Sequence, residues 1–260
     1  MRVAVLGATG AVGKLLVSTA LARGLEVTAL ARDPAQVPDR PGLRRLAVDV
    51  HDPTSIAEAI QDCDVLISGL GVSAAHPTTP PPATAGGPAA PGAAVLGGPA
   101  ASGAAVLGGP AASGAAVLGG PAAPGAAASG SPAVAMGTLE AGAVAAVASG
   151  VPRIIWLGAY GTGLSAERAG GVTRAILRLV LGAEVPDKVA ADSTILAAGG
   201  TVFHAGPLAS GPPEHRTVAL DAVPRRVFPS RISRAAVAAA MLDEAVTPRF
   251  LAQTVVVLAS

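Results

Sequence analysis

Residues 7–13 read GATGAVG, and they stand between an apolar pentapeptide, Arg2–Leu6 (RVAVL), and a helical pattern over residues 11–23. No other feature constrains the fold of this chain as strongly. In the helical stretch Val12, Leu15, Leu16 and Ala20 recur at helical spacing, whereas RVAVL has the continuous apolar character of a strand buried on both faces. Glycines at such a junction let the chain turn tightly off the strand (Gly7), bring backbone close to a pyrophosphate (Gly10) and pack the helix hard on the strand (Gly13). The helix N-terminus then offers unpaired N–H groups and the positive end of its dipole to an anion. A tight strand–helix turn without a ligand is the bare alternative. A Walker-type phosphate loop is excluded. Counting back from Gly13-Lys14, its first glycine falls on Ala8, and Leu15 stands where the metal-binding hydroxyl belongs.

The pattern continues by alternation. Strands are predicted at residues 26–31 (EVTALA), 43–48 and 64–68 (DVLIS), with a short helix over 54–61 introduced by the turn HDP. After a gap the alternation resumes with a helix over 133–149, a strand at 153–157 (RIIWL), helices over 171–181 and 187–198, and a strand at 201–205 (TVFHA). A loop GPLASGPP follows, then a helix capped by Ser233 and a last strand at 253–258. Such a chain predicts an α/β fold: a Rossmann-like, doubly wound parallel sheet in a single domain over residues 1–260.

The gap is a low-complexity Ala/Gly/Pro segment. Residues 92–124 repeat one eleven-residue phrase, GAAVLGGPAAS/P, three times. Each copy offers only Val and Leu as sizeable apolar groups, and Gly-Gly-Pro breaks any helix or strand. Solenoid repeats mostly run to about 20–50 residues with strong core positions. Residues 80–132 therefore read as a flexible insertion after the fourth strand; a lid over the crevice and an adhesive apolar contact are the other readings.

Composition narrows the partners. A net charge of +1 and an aromatic fraction of 2% give no basic face or stacking platform for nucleic acid. No apolar stretch of about 18 residues escapes Gly or Pro punctuation, so no membrane span is predicted. The short apolar run at the start passes straight into glycines, unlike a signal peptide. Cys63 is the single cysteine, which excludes an internal disulfide and points to the cytoplasm. His51, His76 and His215 lie near turns without metal-ligand spacing, and His204 reads as a core histidine, so no metal is expected.

About 20 residues past the glycines, an acidic residue selects the ribose hydroxyls of NAD and an arginine the 2′-phosphate of NADP. This chain has Ala31-Arg32-Asp33-Pro34. Arg32 favours NADP(H) over NAD(H), because a guanidinium grips phosphate. Asp33, before Pro34, reads as a turn or helix-start residue. A solvated surface charge is the alternative for Arg32.

The motifs GATGAVGK, VTALARD, AVDVHDP and DVLISGLGV resemble the NmrA-like, NAD(P)-binding branch of the atypical short-chain dehydrogenases/reductases. They are especially similar to the biliverdin reductase B or flavin reductase-like proteins. GVPRIIWLGAYG, TVFHAGPLASGPP and RVFPSRISRAAVAAAMLDE extend the resemblance to essentially everything outside the repeats. It implies cofactor binding by Gly7, Ala8, Thr9, Gly10, Ala11, Val12, Gly13 and Arg32. By the same resemblance Asp49 and Val50 contact the adenine, and Gly69, Leu70 and Gly71 pass beside the adenosine ribose and pyrophosphate. Gly158 and the run Ala205, Gly206, Pro207, Leu208 belong to the nicotinamide side. The departures concern chemistry. Orthodox members use a Tyr with a Lys four residues on, but four residues after Tyr160, the only tyrosine, stands Leu164. Leu157-Gly158-Ala159 lacks the serine that flavin reductase-like members carry at the end of the fifth strand. Tyr160 and Lys188 are left as catalytic candidates.

Two functions follow as expectations. One is an NADPH-dependent oxidoreductase, reducing a flavin, quinone or similar conjugated small-molecule acceptor without the Tyr/Lys dyad. The other is a non-catalytic NADP(H)-sensing regulator acting through a protein partner. Nothing in the sequence specifies an oligomeric state.

Overall fold

A computed structural model of the chain describes residues 1–71, 137–171, 182–224 and 231–260. The insertion 80–132 and nearly all of the helix expected over 171–181 lie outside these described residues. Eight strands form one sheet in the order β3-β2-β1-β4-β5-β6-β10-β8. They are β1 (Arg2–Leu6), β2 (Glu26–Ala31), β3 (Leu43–Ala47), β4 (Val65–Ser68), β5 (Ile154–Ala159), β6 (Thr201–Ala205), β8 (Arg216–Ala219) and β10 (Thr254–Leu258). All neighbours pair in parallel except β8, which runs antiparallel to β10. A two-residue pairing of β7 (Leu208–Ala209) with β9 (Ile232–Ser233) stands apart. The sequence pattern did not show β7, β8 or β9. The first and last are too short for periodicity, and β8 alternates only weakly.

Period-two alternation divides the core between two faces. Val3, Val5, Val27, Ile67, Ile155, Phe203 and Val255 point to one side, where α1 (Ala11–Ala22) and α5 (Arg234–Val246) cover them. Ala4, Leu6, Leu30, Leu66, Trp156 and Val202 point to the other, under α2 (Pro53–Ala59), α3 (Thr138–Ala148) and α4 (Val185–Ala197). Trp156 and Phe203 are the largest fully buried side chains. At about 1.5–3 kcal/mol for a side chain such as Phe203, these two layers outweigh any surface ion pair in the molecule.

Two helix starts are fixed by side chains the sequence supplies locally, and one by a side chain from far along the chain. Asp52 caps α2, accepting from Thr54 N and Ser55 N, and Ser233 caps α5, accepting from Ala236 N at 2.8 Å. The distant one belongs to α3, which begins at Thr138, five residues later than the sequence pattern suggested. Its first N–H groups are received by a carboxylate from another helix: Leu139 N and Glu140 N donate to Asp187 of α4 at 3.1 and 2.8 Å. Gly137 makes the room, since a Cβ there would fall 2.2 Å from the Asp187 Cγ.

Candidate functional site

From β1 the chain moves outward through β2 to β3, and from β4 it moves the other way through β5 to β6. The reversal between β1 and β4 opens a crevice at the carboxyl ends of the strands. Around it lie the loops following β1, β2, β4, β5 and β6.

On the β1/β4 side the crevice is built almost wholly of backbone. Gly7 turns with φ +78°, and its N–H and that of Ala8 both donate to Leu30 O, tying the loop to β2. A Cβ on Gly13 would stand 2.1 Å from Gly7 O and 2.9 Å from the Ala8 Cα. A Cβ on Gly69 would stand 3.2 Å from Gly13 N. Only glycine permits this stacking of loop on helix on loop. Ala8 and Val12 enter the core, so they can offer a ligand backbone alone, while Thr9 and Gly10 are half-buried and Ala11 is exposed. Gly10 begins α1 in an extended conformation with no side-chain cap and no acidic residue in the first turn. That leaves the first N–H groups and the positive end of a twelve-residue helix for an anion.

Arg32 follows β2 and is exposed, with no ion pair or side-chain hydrogen bond among the described residues. Asp33 is engaged. Its carboxylate accepts from Ala35 N at 3.2 Å and from Gln36 Nε2 at 3.0 Å, capping the 3-10 turn Pro34–Gln36. Asp49 likewise closes a turn, accepting from His51 N at 2.9 Å, and Val50 is buried beside Gly142 of α3. Leu70 spans the seam between the Gly7 loop and Gly142, and Gly71 is exposed with open space around it.

The β5/β6 side is built of side chains. His204, 1% exposed, reaches Asp192 Oδ2 of α4 through Nε2 at 2.9 Å and Ser165 Oγ through Nδ1 at 2.7 Å. Ser165 Oγ also receives Gly161 N at 2.8 Å and lies 2.9 Å from Thr162 O. Gly158 is paired with His204 across the sheet. A Cβ on Gly158 would come within 2.7 Å of the imidazole and 2.9 Å of both Asp192 oxygens. The missing serine therefore has a physical reason: its place is taken by Asp192 and His204. Sequence reasoning read His204 as a core residue, gave Ser165 a structural role in the loop after β5, and passed over Asp192. The signal for Asp192 was a lone carboxylate three residues before Ile195, on the inward face of its helix.

Tyr160 is buried against Ala169, Val223 and Val256, and burial pushes its phenol above the ordinary tyrosine range. Lys188 holds its ammonium 3.6 Å from Glu184, the residue that leads into α4. Ala205 is buried at the end of β6, whereas Gly206 and Leu208 are half-buried and Pro207 is exposed. That loop is held to α5 by Ile232 N donating to Pro207 O at 3.2 Å and by Ser233 Oγ donating to Pro212 O. Among the described residues no group of three His, Cys, Asp or Glu could hold a metal ion, and no helix is long and apolar enough to cross a membrane.

A family profile for NAD(P)H-binding proteins matches residues 7–248. Solved structures share the fold. An oxidoreductase, YlbE, from Lactococcus lactis is 16% identical with a TM-score of 0.63, covering 100% of this chain and 91% of its own. A short-chain dehydrogenase/reductase from Veillonella parvula, solved with NADP, is 14% identical with a TM-score of 0.64, covering 99% and 94%. The anaerobilin reductase ChuY of Escherichia coli O157:H7 is 16% identical with a TM-score of 0.62, covering 99% and 97%. No functionally curated protein matches the sequence.

Proposed function

The chain belongs to the NAD(P)H-binding family, and from that premise we propose that it is an NADPH-dependent reductase of a flavin, quinone or similar conjugated acceptor. The observation that carries the cofactor choice is the contrast at the end of β2: Asp33 is consumed by its own turn, while Arg32 is exposed and unpaired among the described residues. A guanidinium placed so, beside the loop that Leu30 O ties down, suits a 2′-phosphate. The uncapped α1 and the Gly7–Gly13 loop fit a pyrophosphate, and the Gly69–Gly71 loop lies against them. The NADP bound in the Veillonella structure agrees with this choice, and the ChuY reductase with the direction of the reaction.

Reduced nicotinamide supplies a hydride when bound, so the protein's part is to align an acceptor and exclude water. The loop 205–213, pinned by β9, supports the reading as a wall on the acceptor side. The test mixes purified protein and NADPH with flavins, quinones and bilins, including anaerobilin, and follows loss of the reduced cofactor's absorbance. Acceptor-dependent oxidation is expected. Tight NADP(H) binding without oxidation of NADPH by any acceptor sinks the reductase in favour of a non-catalytic NADP(H) sensor, the reading favoured by the absence of a hydroxyl at Gly158.

A further inference from the structure

Buried hydrogen-bonding groups must be partnered, and because Thr162 O also accepts from Ser165 N at 3.1 Å, the close approach of Ser165 Oγ to Thr162 O is what decides where the protons sit around His204. Ser165 Oγ has three polar neighbours: Gly161 N, Thr162 O and His204 Nδ1. Gly161 N is a donor and Thr162 O an acceptor, so the hydroxyl accepts from the first and gives its single proton to the second. The imidazole must then donate from Nδ1. If Nδ1 were bare, the serine would have to turn its proton toward the ring. Two oxygens, Ser165 Oγ and Thr162 O, would then face each other at 2.9 Å with no proton between them.

With Nδ1 protonated, one more proton lies on the 2.9 Å contact between His204 Nε2 and Asp192 Oδ2. It belongs to the ring, giving imidazolium and carboxylate, or to the acid, giving neutral partners. Either way the pair is neutral overall, as burial at 1% and 5% exposure demands. Charges on neighbouring elements do not alter this balance. Lys188 is paired with Glu184, and Asp187 is bound to the N-terminus of α3, near Glu140. Tyr160, at the end of β5, is neutral.

One polar atom is left over. Asp192 Oδ1 is buried and has no hydrogen-bond partner among the described residues. It lies 2.9 Å from where a Gly158 Cβ would be, at the carboxyl end of β5 where the crevice opens. A carboxylate oxygen left unpartnered there, behind the one residue with no side chain, is suited to a ligand's hydrogen-bonding group.

We propose that Asp192 and His204 hold a transferable proton behind Gly158 and deliver it through Asp192 to the acceptor as it is reduced. The inference rests on the reductase reading. Hydride adds two electrons and one hydrogen nucleus to a conjugated acceptor and leaves it an anion. For this the Asp192 carboxyl takes the proton on Oδ2 and turns about its Cβ–Cγ bond to present it to the crevice; transfer neutralises the anion and leaves Asp192 ionised beside a neutral His204, and solvent then restores the proton. Ser165 is a positioning residue that keeps Nδ1 protonated. It is no nucleophile, because its hydroxyl is fully buried and its proton is committed.

The experiment has two arms. In the first, ¹⁵N NMR of the full chain with NADP⁺ reads the ring nitrogens of His204, assigned by their loss in His204→Gln. A protonated Nδ1 at pH 7 is expected, and a bare Nδ1 overturns the proposal whether or not the protein turns over. In the second, NADPH oxidation by the best acceptor is compared in wild type and Asp192→Asn. Turnover is expected to fall at least tenfold with the Kd for NADPH within twofold, and to recover with added dihydrogen phosphate in the variant only. Wild-type turnover matched by Asp192→Asn overturns proton delivery, and absence of turnover in wild type overturns the reductase reading instead. Ser165→Ala, a smaller excision, replaces Asp192→Asn if that variant does not fold. Its turnover is expected to fall at least threefold with NADPH affinity unchanged, and full activity overturns the proposal.

Discussion

The two ends of the crevice are made by opposite means. At the β1/β4 end, Gly7, Gly13 and Gly69 bring backbone against backbone, and the groups offered to a ligand are mostly main-chain N–H groups. At the β5/β6 end, Gly158 makes room for side chains, and Asp192, His204 and Ser165 fill it with a buried polar chain. One end is shaped by omission and the other by long-range pairing. Under the proposed function, the first is the rigid end that grips phosphate whatever the acceptor, and the second sets what the acceptor meets.

Alanine at the glycines tests that distinction, and Gly13→Ala has the largest expected effect. Its Cβ meets carbonyl and Cα atoms that cannot rotate away, so a loss of about 3 kcal/mol of stability is expected in urea denaturation. A midpoint equal to wild type breaks the account of the cradle. Arg32→Ala comes next. It is expected to weaken NADPH binding by about 2 kcal/mol, roughly 30-fold, and NADH binding hardly at all, as measured by fluorescence titration. Equal losses remove Arg32 from the site.

Gly158→Ala places its Cβ against the ends of two side chains, which can shift where backbone cannot. About 1–2 kcal/mol of stability should go, with turnover falling while NADPH affinity holds. If affinity falls instead, the two ends are not functionally separate. Asp187→Ala removes the cap from α3 and should cost about 1 kcal/mol, read by thermal unfolding.

The smallest effect is one of pH. Burial raises the Tyr160 phenol above 10 on the β5 side and the Cys63 thiol above 9.0, where it packs with β2 and α2 residues. In each case the unfolded chain releases its proton first. Stability is therefore full below about pH 9 and declines as pH rises through the folded-state values. Urea midpoints between pH 8 and 11 should show the decline. Cys63→Ala and Tyr160→Phe should each remove part of it, separating the two halves.

The same division governs what could be read in advance. β1, β2 and β6 were legible to the residue, because a buried parallel strand is a short apolar run and its ends are marked by glycine or charge. The cap Ser233, and the turn His51-Asp52-Pro53 as a helix entrance, were legible because a cap acts within three residues. The start of α3 was not, because its cap, Asp187, comes from a helix 48 residues further on. β8 was missed because its place beside β10 is set by antiparallel pairing with Val255–Leu258 and by no pattern of its own.

By itself, then, the sequence determined the parallel alternation, the strand–glycine–helix junction at residues 7–13 and the arginine that follows β2. Each depends on neighbours in the chain: φ freedom, apolar period and capping are local quantities. Only the tertiary structure decided that Asp33 is consumed by its turn while Arg32 is not. It alone brought Asp192, Ser165 and His204 together from a helix, a turn and a strand, and explained why residue 158 has no side chain. Hydrogen bonds between buried groups depend on where distant segments meet, and no spacing along the chain encodes that distance.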